Sequence, residues 1–276
     1  MQKIDRLGWT DGLAIVSYGV HVGIRVNERS ALERIKKLLP HGWKPASSPI
    51  VEKLFSVYLG GAGPRANVRR FSLLYGGLER LLRTHDNEQI FATLESNLRL
   101  TIAEAARRRI FVHAGAVGWN GQAIVIPGRS FSGKTTLVAE LVRAGATYYS
   151  DEYAVLDNQG RLHPFPKPLS IRENGTAEQT DYPVEALGGK AGKKPLPVGL
   201  VVISDYKAGA RWRPQALSAG QGTLEILAHT ISARRQPEVA LSTLHQVASR
   251  ASVLKGKRGE ARQVVDSILK TLTEGR

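Results

Sequence analysis

The octapeptide Gly128-Arg129-Ser130-Phe131-Ser132-Gly133-Lys134-Thr135 fits the pattern G-x-x-x-x-G-K-[ST] at every fixed position, and each of those positions has a chemical task at a polyphosphate. Glycine at 128 and 133 lets the backbone curl until successive N–H groups point inward at a β-phosphate, and a helix starting at Lys134 adds the positive end of its dipole. The Lys134 ammonium then reaches the β- and γ-phosphates, and the Thr135 hydroxyl is a ligand for Mg2+. The expected cofactors are therefore ATP and Mg2+, cradled by Gly128, Arg129, Ser130, Phe131, Ser132, Gly133, Lys134, Thr135 and Thr136. Further along, two adjacent carboxylates, Asp151 and Glu152, stand at a strand end soon after the loop, and a second apolar run from Val198 to Ser204 ends in Asp205. In ordinary phosphate-loop ATPases a strand-ending aspartate holds the metal through water, so Asp151 and Asp205 are rival acidic residues.

Such a loop works only as the turn between a strand and a helix. Ala123-Ile124-Val125-Ile126 supplies the strand, and Thr136 to Val142 supplies the helical pattern. Ile110 to Val117 reads as a preceding strand, joined to the loop strand through the hairpin signal Asn120-Gly121. Ala146 to Leu156 continues as strand, with Asp157 to Gly160 as the next turn. Upstream, Leu13 to Val26 reads as a strand pair with glycines at its bends, and Asn27 to Pro40 as a capped helix with Leu32, Ile35, Leu38 and Leu39 on one face. Val51 to Leu59 and Val68 to Leu74 read as strands, and Asp86 to Arg108 as a long helix with Ile90, Leu94, Leu98 and Ile102 inward. The expected organisation is an N-terminal α+β subdomain over 1–108, a candidate for substrate recognition, followed by an α/β domain over 109–276. The end of the chain from Gln221 reads as mostly helical, with Leu224, Ile226, Leu227, Leu244, Val247, Val264, Val265, Ile268 and Leu269 as core.

Composition narrows the classes. At 276 residues, 42% hydrophobic and 23% charged, the chain has the make-up of a globular protein. It contains no apolar run of membrane-spanning length and no secretory h-region near Met1, so a cytoplasmic protein without membrane insertion is expected. The absence of cysteine excludes disulfides, a thiolate nucleophile and cysteine-ligated metal. His21, His41 and His85 lack metal-ligand spacing. A formal net charge of +15 calls for an acidic partner. The basic runs, among them Arg107-Arg108-Arg109 and Lys255-Gly256-Lys257-Arg258, are not interleaved with aromatics that would stack bases, which argues against nucleic acid.

Residues 109–172 resemble the catalytic domain of bacterial HPr kinase/phosphorylase, a protein serine kinase, and its smaller kinase-like relatives. The resemblance rests on spaced motifs: His113 opening a strand, Gly128 fifteen residues later, and the acidic pair Asp151-Glu152 twenty-three residues after that. Lys167-Pro168-Leu169-Ser170-Ile171-Arg172 is similar to the family's Leu-Glu-(Ile/Val)-Arg segment, and Leu200-Val201-Val202-Ile203 to a later strand. The chain departs from the family in four places. Ala114 follows the histidine where the family has glycine, Glu152 replaces the second aspartate, Ser170 replaces a glutamate, and Glu173-Asn174-Gly175 stands where a glycine-rich segment is expected. No stretch matches the family's C-terminal phosphorylase loop.

The resemblance implies a fold class of α/β type, a P-loop kinase domain with a mixed sheet and flanking helices behind the smaller subdomain. It also implies Asp151 as the base that accepts a hydroxyl proton. Neighbours on an extended segment point to opposite faces, so Glu152 joins Thr135 as a metal ligand only if the strand ends between them. His113, beside the loop strand, is expected to bond the phosphate or to orient Asp151. The expected activity is ATP-dependent phosphorylation of a serine or threonine hydroxyl on a small, acidic or serine-bearing protein or peptide. A small-metabolite kinase, or a nucleotide-switched regulatory or assembly protein without phosphotransfer, are the alternatives, and homo-oligomerisation stays open.

Overall fold

The computed structural model describes residues 3–61, 70–172 and 179–274. The chain divides into two compact units, Met1–Arg107 and Arg108–Arg276. Together they are mixed α/β, with mixed sheets and flanking helices. No helix among the described residues is long and apolar enough to cross a membrane.

The first unit is a six-stranded sheet in the order β3-β1-β2-β4-β5-β6. Its elements are β1 (Asp11–Ser17), β2 (Val20–Val26), α1 (Ser30–Lys37), β3 (Lys44–Pro45), β4 (Lys53–Tyr58), β5 (Ser72–Gly76), β6 (Glu79–Thr84) and α2 (Asn87–Ala105). The β1–β2 hairpin closes on Tyr18-Gly19, both at positive φ (48° and 79°), the two-residue geometry whose twist matches its strands. β2 and β4 run parallel, with α1 in the crossover between them. Asp86 caps α2 by accepting from the Glu88 N–H, and the expected inward residues Ile90, Leu94, Leu98 and Ile102 are fully buried.

Several local expectations fail for physical reasons. Gly23 is no bend: it lies inside β2, where a Cβ would meet Val51 and Leu54 side chains at 3.1 Å. Asn27 does not cap α1, because its amide is occupied in holding the backbone N–H and C=O of Leu59. Leu38 and Leu39 fall beyond α1 and are only half-buried. The strand expected from Val68 begins in residues outside the described ones, and among the described residues it is β5, from Ser72. Glu173-Asn174-Gly175 also lie outside them.

The second unit is built on β7 (Ile110–Trp119), β8 (Gln122–Pro127), α3 (Lys134–Arg143), β9 (Thr147–Ser150), β10 (Tyr153–Leu156), β11 (Arg161–His163), β12 (Leu169–Arg172), β13 (Gln179–Tyr182), β14 (Leu196–Tyr206), β15 (Gln215–Ala216), α4 (Ala219–Leu227), α5 (Pro237–Arg250), β16 (Ser252–Arg258) and α6 (Ala261–Glu274). The main sheet runs β11-β10-β7-β8-β14-β16-β15, with β9 also on β7, while β12 and β13 form a separate pair. Asn120-Gly121 makes the β7–β8 hairpin, again with both φ positive (48° and 80°). β8, β14 and β16 are mutually parallel neighbours, so their C-terminal ends gather at one edge. One side of the sheet packs on α3 and α6 through Leu137, Leu141, Val264 and Ile268, and the other on α4 and α5 through Ile226, Leu244 and Val247.

The C-terminal part is less helical than its apolar spacing suggests. Ser252–Arg258, within the part expected as mostly helical, is strand β16, and Leu224 is 65% exposed rather than core. Apolar periodicity cannot tell a short buried strand from a helical segment.

Candidate functional site

Residues 128–133 form the whole connection from β8 to α3. Gly133 caps α3 at φ +81°, and Phe131 takes φ +68°, a left-handed conformation that a bulky side chain adopts only where the surroundings impose it. Neither loop glycine has room for a side chain. A Cβ on Gly128 would sit 2.6 Å from Ser132 Oγ, and one on Gly133 would sit 2.5 Å from the Arg258 guanidinium. The Ser132 hydroxyl oxygen is itself buried with no hydrogen-bond partner among the described residues. An orphaned hydroxyl beside a cradle that side chains would fill fits a phosphate group, which can satisfy it.

Lys134 is buried, and its ammonium donates to the Arg129 carbonyl at 2.7 Å. Burial lowers its pKa to about 8, against a smaller opposing pull from the Asp151 charge. Arg129, Ser130, Phe131 and Thr136 are exposed, and Thr135 is half-buried. Thr136 thus faces solvent at the first turn of α3.

The stretch expected as one strand after α3 is two. β9 and β10 both pair antiparallel with β7 and break at Asp151-Glu152, level with the point where β8 gives way to the loop. The break aims the Asp151 carboxylate at the loop: Thr135 donates to its Oδ2 at 3.3 Å. The Tyr148 hydroxyl lies 3.0 Å from Asp151 Oδ1 and 2.9 Å from the Lys167 carbonyl, so its one proton serves two acceptors. The Lys167 ammonium stands 3.6 Å from Asp151 Oδ1 and 3.3 Å from Ser170 Oγ. With 2% of its side chain exposed, Asp151 is a buried carboxylate compensated by a cation and two hydroxyls. Burial, and next the Asp151 charge, push the Tyr148 pKa upward, so Tyr148 stays a proton donor.

Glu152 is half-buried beside Asp151, and its carbonyl accepts from the Ala114 N–H. Asp205 is exposed on β14, level with Lys257 of β16, and its charge also acts on His229 at this edge. Of the two rival aspartates, only Asp151 hydrogen-bonds the phosphate loop among the described residues. Among the described residues no three histidine, aspartate or glutamate side chains converge as a metal cage. A Mg2+ ion held by Thr135 and phosphate oxygens does not require one.

His113 reaches the site through its backbone. Its carbonyl accepts from the Gly128 N–H at 3.3 Å, and its N–H donates to the His229 carbonyl at 2.8 Å. The imidazole is half-buried, and burial, Lys134 and His229 together hold its pKa at about 4, so it is neutral near pH 7. Asp151 is oriented by Tyr148 and Lys167, not by His113 as expected from the strand order. Burial and the charges of Lys134 and Arg129 lower the His229 pKa too, which makes it a second neutral imidazole at this edge. Sequence reading missed Tyr148, Lys167, His229 and Arg258. The one available signal was the aromatic pair Tyr148-Tyr149 immediately before the acidic pair.

The electrostatics predict a pH dependence. Phosphate anions favour the charged form of a lysine, so the complex holds a proton that the free protein begins to lose near pH 8. Affinity should be flat from pH 7 to 8 and then fall by up to tenfold per unit. This range lies above the second phosphate pKa near 6, so the ligand's charge is constant. Calorimetric titration with ATP and Mg2+ from pH 7 to 9.5 measures it, and undiminished affinity at pH 9.5 contradicts the assignment of Lys134. No protein-family model matches the chain, and no curated protein matches it significantly.

Proposed function

We propose that the second unit is a P-loop kinase domain of the HPr kinase type, which transfers the γ-phosphoryl group of ATP to a serine or threonine hydroxyl of a small protein or peptide. The observation that carries this reading is the hydrogen bond from Thr135 to Asp151, since it joins a complete phosphate loop to a buried carboxylate across the break between β9 and β10. ATP bound with Mg2+ supplies the phosphoryl group. Lys134 and the N–H groups at the start of α3 neutralise charge on the β- and γ-phosphates. With its hydrogen donated to Asp151, the Thr135 hydroxyl would have its oxygen available to hold the metal. Asp151 also takes the acceptor's proton, and Lys167 and Tyr148 fix its orientation. Neutral His113 offers a hydrogen bond at the loop's edge without adding charge. The net charge of +15 suits an acidic acceptor.

The test is transfer of label from γ-labelled ATP, with Mg2+, to small serine-bearing acidic proteins and peptides. Acid-stable label on a hydroxyl, absent with Lys134→Ala, is the expected result. Tight nucleotide binding without transfer to any hydroxyl would replace the kinase by a nucleotide-switched regulator.

A further inference from the structure

We infer that Arg258, at the C-terminal end of β16, is the brace that turns the phosphate loop's amides toward the anion; this rests on the phosphate-loop reading above. The arginine is 2% exposed, and its hydrogen bonds go to the protein itself: one terminal nitrogen donates to the Gly133 carbonyl at 2.8 Å and lies 3.5 Å from the Ser132 carbonyl, Nε donates to Ser204 Oγ at 3.3 Å, and the other terminal nitrogen donates to the Gly259 carbonyl at 3.1 Å. Ser204 lies at the end of β14, so one planar fork ties β14, β16 and the loop together.

The inference follows from the planarity of the peptide group. In a trans peptide the C=O and the following N–H point in opposite directions. Holding the Ser132 and Gly133 carbonyls on the guanidinium therefore turns the N–H groups of Gly133 and Lys134 the other way, into the concave side of the loop. The Gly133 carbonyl also accepts from the Leu137 N–H at 3.1 Å, so both of its lone pairs are engaged and the peptide cannot flip. Lysine cannot replace this fork, because a single ammonium cannot reach the carbonyls of Gly133 and Gly259 and the Ser204 hydroxyl in one plane. The short distance that a Gly133 Cβ would make to Arg258, 2.5 Å, shows how closely the brace is fitted. By the same planarity the turned N–H groups face away from Arg258. It is a positioning residue and does not touch the phosphates.

The experiment compares the parent with Arg258→Met and Arg258→Lys. Hydrogen exchange of the amides at 128–137 is followed without ligand, and calorimetry measures affinity for MgATP and for inorganic pyrophosphate. With both variants folded, loop amides should exchange at least tenfold faster, and both affinities should fall at least tenfold. Arg258→Lys, the variant more certain to fold, should recover only a small part. Unchanged loop exchange in a folded variant, or parent affinities in Arg258→Lys, would overturn the proposal. A parent that binds pyrophosphate but not MgATP would sink the nucleotide reading while the pyrophosphate arm still decides the role of Arg258. A parent that binds neither leaves the exchange arm to decide it.

Discussion

Replacing Lys134 with alanine should abolish stabilisation by ATP and Mg2+ while leaving the unliganded protein at least as stable as the parent. The second half of this expectation is the less obvious. In the structure the ammonium is buried, its pKa is lowered to about 8 by that burial, and it donates to the Arg129 carbonyl. Removing a charge that pays a desolvation penalty does not weaken the fold. The loss appears only with ligand. Charge-assisted contacts to two phosphates contribute roughly 1.5–3 kcal/mol each, so a fall in affinity of about 100-fold or more is expected. At a nucleotide concentration of 100 times the parent's Kd, the parent gains about 2.7 kcal/mol, and a variant with 100-fold weaker binding gains about 0.4 kcal/mol. Thermal melts with and without MgATP check both halves. Equal stabilisation of the alanine variant would show that the loop at 128–135 is not where the triphosphate binds.

How much of this site could be read from sequence follows from the separation of its parts along the chain. The phosphate loop is contiguous, and its glycines, lysine and threonine have tasks that depend on neighbours within eight residues, so the strand, turn and helix fell where expected. Asn120-Gly121 was legible for the same reason, since a two-residue hairpin demands positive φ at both positions. Asp151 needed the family resemblance to be singled out from Asp205, because each is an acidic residue at the end of an apolar run. What decides between them is a break in the pairing of one long ladder with β7, and register breaks leave no mark in a hydrophobicity pattern.

The missing residues are tertiary. Lys167 meets Asp151 across sixteen positions, and Arg258 meets Gly133 across more than a hundred. Lys255-Gly256-Lys257-Arg258 reads in sequence as one more basic run, with nothing to mark which member turns inward. Here Lys255 pairs with Glu225 and Lys257 stays exposed, while Arg258 alone turns inward.

Asp151→Asn should lower kcat by about 100-fold or more, the scale of a general base, while changing nucleotide affinity by less than about tenfold. The substitution preserves shape and removes charge. An asparagine at 151 can still accept from one of Thr135 and Tyr148, but it offers no carboxylate to the acceptor's proton and no counter-charge to Lys167. Asp205→Asn should do much less, since that carboxylate is exposed on β14 and makes no hydrogen bond to the loop. The two ways in which Asp151 could matter separate on magnesium. If it takes the proton, turnover of Asp151→Asn stays low at every Mg2+ concentration, because no amount of metal replaces a proton acceptor. This is the expected result. If excess Mg2+ restores turnover, the carboxylate serves the metal through Thr135, and the proton leaves by another route. A silent Asp205→Asn beside a nearly normal Asp151→Asn would remove the kinase reading altogether, because the carboxylate on β14 would then be the partner of the phosphate loop, as in an ordinary ATPase.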